Sequence, residues 1–187
     1  LTAAQCVVVA ALLVILFGDL REIVVAERGH RTATLTFLLA VSCFWFGCNN
    51  AAKEFIKERL SYRRERDCNL GLGAYYLAKF GILVGMTWVQ TLLVWAVVAI
   101  FCCPTNPLLA TTILLLILSA TGVALGLAIS ASVSNEDMAV TAIPIVLLPQ
   151  IILADAIAPL SGLGKVLGQL FVSCYWGVRG LNSVLPE

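Results

Sequence analysis

Residues 108–131 read LLATTILLLILSATGVALGLAISA, without one charged side chain. A helix of this length exceeds the roughly 30 Å of a bilayer's hydrocarbon core. Working outward, four further stretches qualify or nearly do, at about 2–18, 33–48, 74–101 and 138–156. Helices are predicted throughout, because an open sheet edge has no hydrogen-bond partners in lipid. Barrel strands are disfavoured, since the runs lack polar alternation.

Composition points the same way. The chain is 60% hydrophobic and 12% charged, against about 25% charged in ordinary globular domains. Its mean hydropathy is +0.97, which leaves too little polar surface for a dispersed soluble protein. The expectation is an all-α, polytopic membrane helix bundle with five full spans in one domain, 1–187. A net charge of +1 gives no reason to expect nucleic acid as a partner. The chain begins at Leu1 with no basic region before the apolar run, so 2–18 reads as a first span in a piece of a longer polypeptide, not as a signal peptide.

The connections are uneven. Residues 19–31 are charged and mixed in sign, 102–107 form a turn with two prolines, and 132–137 form a short polar link. Beyond Asp155 the chain is apolar but broken by five glycines, with Lys165, Gln169 and Arg179 interspersed. A re-entrant or interfacial helix near Val166–Trp176 fits that pattern, with Tyr175 and Trp176 at headgroup level. Two GxxxG spacings, Gly81–Gly85 and Gly122–Gly126, read as packing faces within the bundle. Pro144 and Pro149 kink or break the fifth span, and Gln150 is placed to satisfy a carbonyl that a kink frees.

The seven cysteines contain no CxxC, and His30 is the only histidine. They read as small apolar residues in packed helices, with no metal site. An intermolecular disulfide at Cys102-Cys103 ranks below free thiols. Nothing in the chain resembles a GxxxxGK[ST] phosphate loop. No ionisable residue lies deep in a span, which removes the usual marker of an ion route.

One segment stands apart. In Lys53–Asp67, KEFIKERLSYRRERD, six basic and four acidic side chains crowd fifteen positions. Ala52, Phe55, Ile56 and Leu60 recur at helical spacing, giving an amphipathic helix over about 51–66. From the residues alone three readings stay open: a solvated loop with a positive-inside bias, an interfacial helix on anionic headgroups, or a docking helix for a soluble partner. The density of basic residues favours 49–73 as cytoplasmic.

Here the sequence SCFWFGCNNAAKEFIKERLSYRRERDCNLGLGAYYLAKF, 42–80, resembles the permease domain of type-2 ABC exporters, especially the white-pigment and multidrug G subfamily. The matching residues are Asn50, Ala51, Ala52, Glu54 and Glu58, then Tyr62-Arg63-Arg64-Glu65-Arg66, then Tyr76 and Lys79. Residues 135–153, NEDMAVTAIPIVLLPQIIL, resemble the family's fifth span, with Asn135-Glu136, Pro144 and Pro149-Gln150 in order.

The resemblance implies a cytoplasmic coupling helix at 51–66, between the second and third spans, that docks on an ABC ATPase domain outside this chain. That domain binds ATP and Mg. Glu54, Glu58, Tyr62, Arg63, Arg64, Glu65 and Arg66 are then the contacts with the ATPase, and Phe55, Ile56 and Leu60 anchor the helix to the bundle. It also implies a homodimer with membrane lipid around it, in the plasma membrane. An apolar or amphipathic substrate crosses by alternating access through a cavity between the copies. Candidate lining residues are Phe44, Trp45, Val140 and Ile143. Competing functions are an ion-coupled carrier, a membrane-embedded enzyme and a non-transporting scaffold.

Overall fold

The computed structural model describes residues 2–18, 25–57, 71–102, 107–154 and 163–183. Among the described residues the chain is all-α. Its helices are α1 (Thr2–Phe17), α2 (Val25–Ala51), α3 (Glu54–Lys57), α4 (Leu72–Phe101), α5 (Leu108–Ser132), α6 (Glu136–Ile152), α7 (Leu163–Phe171) and α8 (Ser173–Ser183). Three helical stretches, Gly29–Lys57, Gly73–Phe101 and Leu108–Ser132, are long and apolar enough to cross a membrane. α1 and α6 are shorter, with 16 and 17 residues.

α2 is the central element. It packs most extensively on α5 and also meets α4, α8, α1 and α6. Leu35, Leu39, Ala40, Cys43, Phe44 and Phe46 of α2 are all buried in the main core. The helix starts well before the expected 33–48 span, because residues 25–31 of the charged stretch continue its turns. Glu27 and Arg31 pair there at 3.7 Å across one turn. Both are exposed, so the pair adds only a few tenths of a kcal/mol.

Three glycines decide how closely α2 and α5 cross. A Cβ on Gly122 would strike the Phe44 carbonyl oxygen. One on Gly126 would lie 2.5 Å from the Cys48 carbonyl oxygen and 2.8 Å from the Ala51 Cβ, and one on Gly47 would lie 2.7 Å from the Val123 nitrogen. The two backbones therefore touch, as small residues allow in a membrane. Gly122–Gly126 is a packing face, as read from its spacing. Gly81–Gly85 is not one among the described residues, since both glycines are exposed on α4 and neither has anything within 4 Å of an added Cβ.

The outer surface is greasy. Val7, Leu12 and Ile15 of α1, Ile82, Val89 and Ile100 of α4, and Ile113 and Ile117 of α5 all face outward. An apolar exterior of this extent suits lipid rather than water.

One expectation for the C-terminal region needs correction. The single helix near Val166–Trp176 is two helices, α7 and α8, which break at Val172. Tyr175 is wholly buried in the core, while Trp176 is exposed. The reason is the stripe Cys174, Tyr175, Val178 and Leu181, which recurs at helical spacing and buries α8 against α2 and α5. The Tyr175 hydroxyl accepts from Arg179 Nη1 at 2.9 Å, while the exposed Trp176 donates from Nε1 to the Gln169 carbonyl at 2.9 Å.

α6 runs through both Pro144 and Pro149. Gln150 bonds not to a carbonyl freed within α6, as expected, but across to the α7–α8 break. Its Nε2 donates to the Phe171 carbonyl at 3.3 Å and its Oε1 accepts from the Cys174 N–H at 3.1 Å. One buried amide thus serves both ends of the α7–α8 break, where backbone groups lack partners within a helix.

Candidate functional site

α2 does not run straight into the charged segment. The Ala52 N–H still donates to the Cys48 carbonyl at 3.0 Å, and α3 then begins at Glu54 after a turn at Ala52–Lys53. The helix expected from residue 51 therefore starts after a break. The cause is a bond between elements: the Phe55 N–H, which in an uninterrupted helix would point at Ala51, donates instead to Ser130 Oγ of α5 at 3.0 Å. A hydroxyl from a neighbouring helix thus takes the part of an N-cap. Ser130, Ala51 and Ala52 are fully buried, so the turn sits tight against α5.

Aromatic rings clasp the other side. Phe55 stacks on Tyr75 with centroids 5.8 Å apart and lies 6.1 Å from Tyr76, which stacks on Phe80 at 6.2 Å. Beneath them lie Ala51, Leu83, Val84, Val123 and Leu127. Ring pairs of this kind stabilise by about 0.5–1.5 kcal/mol beyond the area they bury. Phe55 thus joins the short helix to α4 and α5 together.

Glu54 is held from two sides, by Lys57 at 3.8 Å and by Lys79 of α4 at 3.5 Å. The Glu54 and Lys79 side chains keep only 23% and 20% of their exposure, so their attraction is less screened than that of a surface pair. Ile56 is half-buried beside them. Glu58, Leu60, Tyr62, Arg63, Arg64, Glu65 and Arg66 lie outside the described residues.

Tyr76 and Lys79, distant in sequence, are brought onto Phe55 and Glu54. The residues that sequence reading missed are Ser130 and the partners of Asn50. Asn50 Nδ2 donates to Thr87 Oγ1 at 3.2 Å and to Gln90 Oε1 at 2.7 Å, while its neighbour Asn49 donates to Gln5 Oε1 at 3.2 Å. These bonds tie the end of α2 to α4 and α1 just before the turn. A signal was present, because Thr87, Gln90 and Thr91 place polar groups on one face of an otherwise apolar helix.

The candidate cavity residues separate. Phe44 is fully buried at the α2–α5 crossing, whereas Ile143 is buried in another cluster with Cys48, Ala52 and Ile129. Trp45, 37% exposed, and Val140 face outward.

No curated protein and no solved structure matches the chain. A family described as ABC-2 type transporter matches residues 1–185. That match spans nearly the whole helical bundle, and the chain accordingly belongs to the ABC-2 type transporter membrane-domain family, as the transmembrane part of an ABC transporter.

Proposed function

We propose that this chain is the permease of an ATP-driven exporter of the white/multidrug G-like type, with α3 as the start of its coupling helix. In this reading five helices span the membrane (α1, α2, α4, α5 and α6), 1–187 is one permease domain, and 49–73 faces the cytoplasm of a cell whose plasma membrane holds the protein. The observation that carries the reading is the junction at Ala52–Phe55. There the described start of the charged segment is hydrogen-bonded to α5, ring-stacked on α4 and ion-paired to Lys79. Force applied to the segment beyond Lys57 reaches three long helices at once, which a solvated loop would not achieve.

The partner is an ABC ATPase domain outside this chain, which binds ATP and Mg. Glu58, Tyr62, Arg63, Arg64, Glu65 and Arg66 meet its surface, where mixed charges set register. Phe55, Ile56 and Leu60 hold the helix to the bundle, and Glu54 divides its charge between Lys57 and Lys79. Two copies enclose the pathway of an apolar or amphipathic substrate. Trp45 and Val140 are the outward-facing candidates for its wall, backed by Phe44 and Ile143. Pro144 and Pro149 weaken α6 where alternating access needs it to bend.

The test is charge reversal in the complete transporter reconstituted in proteoliposomes. Arg63→Glu with Arg64→Glu is expected to abolish transport while nucleotide and substrate still bind. Normal transport by the double variant would overturn the coupling assignment.

A further inference from the structure

α1 and α4 lie side by side and form between them a groove of about 440 Å³, within the roughly 300–1,000 Å³ of small-molecule sites. Val7 and Ala10 line it from α1, and Met86, Val89 and Leu93 from α4. Its α4 wall runs from Met86 to Val97, or about 16 Å at the helical rise per residue. That shape suits one extended hydrocarbon chain.

Among the described residues the wall has a single strong hydrogen-bonding side chain. Gln90 lines the groove and is only 8% exposed. Its carbonyl oxygen is taken by Asn50 at 2.7 Å. The amide's remaining chemistry is that of a donor, its NH2 group. Gln90 sits near the middle of α4, on an apolar wall where a donor gains most from an acceptor. Among the described residues no charged side chain lines the groove, which selects against a charged ligand.

We propose that the α1–α4 groove binds a neutral, single-chain amphiphile, with a hydroxyl oxygen accepting from the Gln90 amide and the hydrocarbon running from there along Leu93, Val94 and Val97. A second copy of the chain fits less well. A partner helix is about 10 Å across and would have to pass a long polar side chain over the Val7, Val89 and Leu93 rim to reach Gln90. A slim alkyl chain reaches it directly.

The experiment uses the full-length transporter in phosphatidylcholine liposomes and hexadecanol bearing a mid-chain diazirine. After irradiation the labelled residues are mapped by mass spectrometry. Labelling should be saturable, concentrated on the groove residues of α1 and α4, and reduced about tenfold by unlabelled hexadecanol but little by hexadecane. Leu93→Trp or Val89→Trp, at exposed rim positions, should cut labelling by a similar factor in protein that remains monodisperse. Gln90→Leu should keep labelling but erase the preference for alcohol over alkane. The wild-type competition alone decides the matter should the variants fold poorly. Labelling that never saturates and falls equally on Ile113 and Ile117 of α5 means an ordinary lipid shell, and the proposal fails. It fails equally if Val7→Cys gives high-yield disulfide-linked dimers, which would put a second copy over the groove.

Discussion

The α2–α5 crossing and the α2–α3 junction lie within a few turns of each other and are built on opposite principles. At the crossing, glycine lets two backbones meet, and shape alone holds them. At the junction, no shape would suffice. The chain must turn and present a charged segment, so a hydroxyl, a ring stack and two lysines hold it. Close packing is stiff because interiors resist deformation. Polar and aromatic clasps are directional and individually modest, which suits an element that moves as a unit against a fixed frame.

The contrast breaks most readily at Gly126. Gly126→Leu forces a side chain into the Cys48 carbonyl and Ala51 and should cost about 3 kcal/mol, seen as a large drop in thermal stability in detergent. Gly81→Leu, with open space around it, should shift stability by less than about 0.5 kcal/mol. Equal effects at the two positions would remove the claim that one GxxxG is packing and the other surface.

Phe55→Ala comes next. Loss of a half-buried ring from the Tyr75–Tyr76–Phe80 group should destabilise by about 2 kcal/mol. Transport should fall further than ATP hydrolysis, and a parallel fall in both would reduce the ring to a packing role.

Ser130→Ala leaves the Phe55 N–H without its acceptor and should cost about 1 kcal/mol. Amide exchange at Phe55 should quicken while the α5 core stays protected, and unchanged exchange there would show that the hydroxyl does not hold the turn.

The smallest effect belongs to the ion pair. Lys79→Met should change stability by less than about 1 kcal/mol, and a double-mutant cycle with Glu54→Gln measures the coupling. A coupling energy of zero would leave Glu54 free for the ATPase side.

Much of this was legible beforehand for a simple reason. A bilayer demands long apolar runs, and such runs announce themselves without tertiary context. The expected stretches at 74–101 and 108–131 coincide with α4 and α5 almost to the residue. That Phe55 lies on an apolar stripe was legible from its spacing, whereas the acceptor on Ser130 and the ring partners were not. Periodicity states which face of a helix is greasy, not which neighbour it meets. The same gap explains Tyr175. Tyr175 and Trp176 read alike as headgroup-level aromatics, and only the stripe through Cys174, Val178 and Leu181 shows that the tyrosine faces the core while the tryptophan does not.

The amino-acid sequence by itself determined that this chain is a helical membrane bundle with one charged arm, because solvent preference is a property of composition and spacing. Only the tertiary structure decided which glycines touch, where Gln150 spends its amide, and that α3 turns on a hydroxyl seventy-five positions away. Those outcomes depend on partners brought together by folding, and local sequence carries no record of who the partner is.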